Sequence, residues 1–464
     1  MGVDIVSTNA LTKAAERRRI KDPSLLAALK NGGPLVWLSC IVMGFANIAS
    51  GQVIMGLCYL AIEAGVFVYL FAEMGGLHWI KLLPSLGDKL QEEIWDNAQG
   101  IYVYVPGDDS NQILLYGVAS LCIVALLVFV WQISVRSGYK AILLKKAGCQ
   151  PNFIEQVKTL FDENIHKLLM ILPVAGIAVF TILPLLYMMC MAFTNYNTQN
   201  LVLFDWVGLE NFKTLFSSNN AIGKQFGSVL TWTLIWAFFA TFLNFFLGTF
   251  VAIIINRKTI KCKGLFRGCL SLTIAIPQFV SLMLIRSMLM EKGIINQMLL
   301  NAELIDKALP FLQNGTWAKV VVIIVNLWVG IPYTIMQVTG ILQNIPAEQY
   351  EAATIDGANA VQQFMNITLP YMIFVLTPYI ITSFTGNINN FNVIYLLTRG
   401  DPLLIGNTAG ETDLLVTWLY KLTVDQKNYN LGAVIGIFTF VVLAAVSLIT
   451  YRSSGSYKDE EAFK

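Results

Sequence analysis

Charge is what this 464-residue chain has least of: Asp, Glu, Lys and Arg make up 13% of it, about half the share usual in soluble globular domains. Histidine is scarcer still, with only His78 and His166, so neither a histidine-based metal centre nor a histidine general base has the residues it needs. No His-Glu-x-x-His helix and no Gly-x-Ser-x-Gly turn occurs, which leaves an intramembrane enzyme without its usual machinery. The seven cysteines show no metal-ligand spacing and no disulfide framework. No Gly-x-x-x-x-Gly-Lys-Ser/Thr loop is present, so the chain has no P-loop for nucleotide phosphates. A net charge of +2 gives no reason to expect a nucleic-acid partner.

In place of charge there is apolar surface: 56% of residues are hydrophobic and the mean hydropathy is +0.63. That composition predicts an all-α polytopic membrane protein. Residues 1–33, with Lys13, Arg17, Arg18, Arg19 and Lys21, read as a cytoplasmic N-terminal arm, since no small-residue cleavage site follows a compact apolar core. The next apolar stretch splits into 34–48, too short to cross, and 53–71, long enough to do so. Counting both as spans would put Arg136, Lys140, Lys145 and Lys146 outside, so the first is an interfacial or re-entrant helix. Glu63 inside the second is either a functional intramembrane acid or a group beside a polar surface or partner.

Residues 73–111 suit an external loop, 113–135 a span, and 136–167 a basic cytoplasmic linker. Six further spans follow within 168–455, over 168–193, 226–255, 268–285, 320–342, 371–391 and 431–451, and then a cytoplasmic tail at 456–464. An aromatic-rich stretch in 194–224 suits an interfacial helix, and 392–430 a long external segment. Pro277 interrupts the span at 268–285, and a bilayer tolerates such a break only beside a neighbouring helix or a cavity. The expectation is eight spans, of which the first two lie in 34–135 with the interfacial helix, and both termini in the cytoplasm.

Between two of the spans lies a polar stretch that hydrocarbon would not accept, 344–370. It carries Glu348, Glu351 and Asp356 but no Lys or Arg, so its cytoplasmic assignment rests on the parity of the spans. Asn344 is expected to cap a short helix with Pro346 in its first turn, running from Ala347 to Asp356 and closed by Gly357 in the left-handed region. A second helical stretch runs from Ala358 to Pro370. By itself an alanine-rich helix could be a docking surface or a mere interfacial connector.

The full spacing says more. Glu351-Ala352-Ala353, three residues, Gly357, nine residues, Ile367, one residue and Leu369-Pro370 resembles the signature loop of permease subunits of binding-protein-dependent ABC importers. Phe193-Thr194-Asn195-Tyr196, Val207 to Phe212, the run from Ser383 to Thr398 and Thr412 to Val416 resemble the MalF-type subunits of the maltose and maltodextrin branch. The short 194–224 segment lacks the large external insertion of the Gram-negative members and is similar to the Gram-positive form.

The resemblance implies a type I permease core that moves an oligosaccharide by alternating access. It assigns ATPase coupling to Glu351, Ala352, Ala353, Asp356 and Gly357, and sugar contacts to Gly330, Tyr333, Ser383, Asn387 and Asn390. It also implies a MalG-like second permease, an ATPase dimer carrying ATP and Mg, and a lipid-anchored extracellular solute-binding protein. No cofactor is expected in this chain. Gly386 stands where the maltose subunit has an aromatic residue, and Asn392 where it has an aliphatic one, which leaves the glycan open.

Read without the family, Asn387 and Asn390 lie three apart on one helical face with Ser383 four before, an uncharged set of donors and acceptors suited to sugar hydroxyls. Tyr333 could offer a ring to the apolar face of a sugar. The same residues would serve equally as hydrogen-bonding glue between helices. An ion-coupled secondary transporter would need intramembrane acids, and Glu63 is the only one deep in a span. A glycerol-phosphate-like cargo would need basic residues that the Asn-rich stretch lacks.

Overall fold

The computed structural model describes residues 22–96, 100–151, 165–257 and 260–453, together with positions 20, 155 and 157. The basic cluster of the N-terminal arm, much of the linker after 151 and the tail at 456–464 fall outside the described residues. The chain divides into two compact units, residues 1–195 with 200–206, and residues 196–199 with 207–464.

The first unit opens with three short helices, α1 (Leu25–Asn31), α2 (Gly33–Ile41) and α3 (Phe45–Ala49), none long enough to cross a bilayer. The break between α2 and α3 frees backbone amides, and polar groups on the following spans take them up. Glu63 on α4 (Val53–Phe71) accepts from the Met43 N–H at 2.7 Å, and Ser134 on α6 (Ser110–Lys146) accepts from the Gly44 N–H at 3.0 Å. Glu63 thus has a polar partner, a backbone amide that the break between the helices leaves without one of its own.

The segment expected as a loop, 73–111, holds helix α5 (Gly76–Leu82) and an antiparallel hairpin of β1 (Glu92–Asp96) with β2 (Ile101–Val105). The β2 sequence Ile-Tyr-Val-Tyr-Val is all β-branched or aromatic, which favours extended backbone over coil. Helix α6 runs on through Arg136 to Lys146, so the basic segment begins as a continuation of the span. The unit ends in α7, made of Ile165–Ile177, a π-helical turn at Ala178–Ile182 and Leu183–Met191.

The second unit carries α8 (Glu210–Phe216), α9 (Ala221–Asn256), α10 (Lys263–Ala275), α11 (Gln278–Leu289), α12 (Ile294–Asn301) and α13 (Gly315–Asn344). The helix expected in the middle of 194–224 starts only at Glu210, after Phe204 and Trp206. Then come α14 (Ala347–Ile355) and a long helix, α15, formed by Ala360–Gln363, a π-helical turn at Phe364–Thr368 and Leu369–Ile388. Helix α16 (Phe391–Leu397), α17 (Leu415–Tyr420) and α18 (Tyr429–Ser453) complete it.

Seven helices among the described residues are long and apolar enough to span, and α10 with α11 and α12 makes an eighth candidate bent by 88°. The bend falls at Ile276-Pro277, where proline has no N–H to continue the ladder and instead starts α11. Each of the eight apolar segments of the sequence coincides with one of these.

Two apolar clusters hold these helices together, one joining α9, α13 and α16 and the other α9, α13 and α15. Trp232, Trp236, Ala240, Val321, Val322 and Val325 belong to one, with Val393, Ile394 and Leu397 of α16. Phe245, Ala252, Ile335, Val338, Met372 and Leu376 belong to the other. Between them in sequence lie Thr241 and Asn244 on α9, Asn326 and Gly330 on α13, and Ser383 and Asn387 on α15, which gather at the candidate site.

Candidate functional site

Between the two clusters a cavity of about 350 Å3 opens, within the usual range of about 300–1,000 Å3 for small-molecule sites. Gly330, Tyr333, Ser383, Asn387 and Asn390, expected from the sequence to meet, all line it. No charged residue does. The lining therefore suits a neutral polar ligand and offers nothing to balance an ion or a phosphate.

The asparagines do not share one helix as their spacing predicts. Helix α15 ends at Ile388, and Asn390 is the N-cap of α16, its Oδ1 accepting from the Val393 N–H at 3.2 Å. A short amide side chain substitutes there for the missing backbone partner, which ends one helix and starts the next. Asn390 Nδ2 donates to Asn387 Oδ1 at 3.3 Å, and Asn387 Nδ2 donates to Thr241 Oγ1 on α9 at 3.0 Å. The amides thus tie helices together, as the packing reading has it, while also lining the cavity.

Asn244 and Asn326, on α9 and α13, also line the cavity and escaped the sequence reading. Asn244 Nδ2 donates to the Ala240 carbonyl at 2.6 Å, but its Oδ1 is buried without a partner, as is Asn326 Nδ2. An unmet buried polar atom costs about 1–3 kcal/mol, so one orphaned acceptor and one orphaned donor beside this cavity are a cost that its other lining residues do not remove. The signal in the sequence was a lone Asn in each of two apolar helices.

Gly330 explains how Asn244 fits: a Cβ at position 330 would lie 2.3 Å from Asn244 Nδ2. Gly386 is the reverse, with no atom within 4 Å of where its Cβ would stand. Asn392, the other departure from the maltose pattern, is not in the lining and bonds Gln278 at the start of α11 at 3.4 Å. Tyr379 adds a hydroxyl, 3.2 Å from Thr334 Oγ1.

The second set of residues lies on α14 and its cap. Asn344 does not cap α14: it is the last residue of α13, and Pro346 takes the N-cap position. With no amide hydrogen to leave unpaired, proline starts the helix without a side-chain cap. At the other end the Ala358 N–H reaches the Ala353 carbonyl at 2.9 Å and the Gly357 N–H the Thr354 carbonyl at 3.1 Å, a Schellman closure. It requires Gly357 at φ +80°, where a side chain would be strained.

Asn359 and Gln362 then form a capping box that starts α15 as a helix of its own. Glu351, Ala352, Asp356 and Gly357 are exposed and Ala353 half-buried, and Ile355 is 86% exposed at the tip. An apolar side chain presented on a polar turn fits a partner surface better than water.

Comparison with known proteins agrees with this geometry. Residues 244–455 match the family described as "Binding-protein-dependent transport system inner membrane component". The chain is 32% identical over 437 residues to the galactooligosaccharides transport system permease protein GanP of Bacillus subtilis, covering 91% of this chain and 98% of that one. It is 32% identical over 440 residues to the maltodextrin transport system permease protein MalC of Streptococcus pneumoniae, covering 91% and 96%. The fold is similar to a chain in the crystal structure of a bacterial alginate ABC transporter in complex with an alginate pentasaccharide-bound periplasmic protein. There the TM-score is 0.53 at 23% identity, over 64% of this chain and 96% of that one. Near full-length similarity to such subunits, together with the uncharged cavity among spanning helices, shows that the chain belongs to the permease subunits of binding-protein-dependent ABC sugar importers.

Proposed function

We propose that this chain carries a neutral oligosaccharide, of the malto- or galacto-oligosaccharide kind that its relatives are named for, through the cavity between α9, α13 and α15. The observation that carries the reading is the uncharged lining with an orphaned acceptor on Asn244 and an orphaned donor on Asn326. Each sugar hydroxyl is both donor and acceptor and can satisfy either atom. The ring of Tyr333, half exposed towards the cavity, suits the C–H face of a pyranose.

Power enters at α14. Glu351, Ala352, Ala353, Asp356 and Gly357 dock into a separate ATPase subunit, which holds ATP and Mg and closes as a dimer. That motion passes into α15, whose far end carries Ser383 and Asn387, and turns the spans from inward- to outward-facing. A second, related permease completes the pore, and a lipid-anchored binding protein delivers the sugar from outside. In this reading the N-terminal arm, the basic linker and the tail are cytoplasmic, and residues 291–317 and 392–430 are external.

Two variants test the two halves. Asn387→Ala with Asn390→Ala should lower uptake of maltotriose or galactotriose at least tenfold while the importer still assembles. Wild-type uptake would return both residues to helix packing. Gly357→Glu, which forces a side chain into the left-handed cap and onto the docking face, should abolish sugar-stimulated ATP hydrolysis or ATPase co-purification. If both stay normal, α14 is not the coupling element.

A further inference from the structure

Helix α16 starts at Asn390 in the central cavity, and at its other end Leu397, with Thr398, lines a second cavity of about 320 Å3. Its floor is apolar, from the buried Leu289 and Leu397, and its rim carries Arg286, Glu291, Gln313 and Asp401. Gln313 Nε2 donates to Glu291 Oε2 at 3.3 Å. The side chains of Arg286 and Asp401 share the cavity, yet neither forms an ion pair or a hydrogen bond with a described residue. A guanidinium and a carboxylate that line one space without closing on each other keep donors and acceptors available to whatever occupies it.

The wall behind them is stiff. Thr398 Oγ1 lies 2.8 Å from Thr412 Oγ1 and accepts from the Gly400 N–H at 3.1 Å. Asp413 accepts from the Gly410 N–H at 2.7 Å, from Lys421 Nζ at 2.7 Å and from Thr417 Oγ1 at 2.9 Å. The backbone that carries Thr398 and Asp401 is thereby held in one shape before a ligand arrives, which lowers the ordering cost of binding.

We propose that this cavity is an outer saccharide subsite, which takes a neutral sugar unit extending beyond the one in the central cavity. With Arg399 close enough to act on Arg286, two guanidinium groups balance the carboxylates of Asp401 and Glu291, and sugar hydroxyls can accept from Arg286 and donate to Asp401 and Glu291. The leucine floor suits the C–H face of a ring. The seven residues of α16 separate the two cavities by about 10 Å along the helix, so a chain of several sugar units is needed to occupy both.

The proposal rests on a neutral oligosaccharide being the cargo, and the test separates the two. Uptake of maltose, maltotriose and maltopentaose is compared in cells carrying the complete importer, with Arg286→Gln and Asp401→Asn as independent variants. Each should lower the ratio of maltopentaose to maltose uptake at least fivefold relative to the wild type. The Asn387→Ala, Asn390→Ala variant should lower all three sugars and leave that ratio within twofold. A wild-type ratio in both rim variants overturns the outer subsite and leaves the central one standing. If the wild-type importer takes up none of these glucans and no galactooligosaccharide, the neutral cargo falls and the outer subsite with it.

Discussion

The second unit holds two buried polar clusters that differ in one respect. Around Asp413 both carboxylate oxygens are paired, with Lys421, Gly410 and Thr417 as donors. In the central cavity Asn244 Oδ1 and Asn326 Nδ2 have no partner. A closed network uses its polarity to hold a loop in one shape, whereas an open one keeps polarity in reserve for something that comes and goes. The first has the character of scaffold and the second that of the candidate site.

Breaking the closed cluster should have the largest effect. Asp413 is fully buried and Lys421 nearly so, so Lys421→Met leaves a carboxylate without its cation and should cost about 3–5 kcal/mol, seen as a lower thermal midpoint for the purified complex. In the open cluster the sign should reverse. Asn326→Leu removes an unmet donor and should leave stability unchanged or raise it by about 1–3 kcal/mol, while sugar uptake drops severely. A stability loss like that of Lys421→Met would erase the distinction between the clusters. Tyr379→Phe removes only the bond to Thr334 and should cost about 0.5–1.5 kcal/mol by the same thermal measurement.

A pH series gives the finest resolution. Burial pushes the Asp413 carboxyl above its ordinary value, against the pull of Lys421, Gly410 and Thr417. A raised folded-state pKa favours the protonated form, so this contribution to stability is full below the ordinary carboxylate range and is lost as pH rises through the raised value. Asp413→Asn should flatten that part of the stability profile, and an unaltered slope would assign it to other groups.

The spans were legible because runs of about twenty apolar residues have few alternatives, and Pro277 marked its own break. The hairpin was not, since a mixed polar segment hid the short β-branched run at Ile101–Val105 among turn residues. Gly330, Tyr333, Ser383 and Asn387, which the family resemblance pointed to, all line one cavity, but Asn390 was put on a helix that ends before it. The same capping chemistry misled at Asn344, where a residue that often starts helices ends one. Asn244 and Asn326 stayed invisible because an asparagine in an apolar run becomes informative only when its neighbours across the helices are known.

Gly330 and Gly386 face the same cavity with opposite constraints. A Cβ at position 330 would press on the Asn244 amide. Position 386 has open space before it, so a Cβ added there would meet no neighbour within 4 Å. Of the two glycines, residue 386 is therefore the one through which the volume of the cavity can be altered with Asn244 left in place.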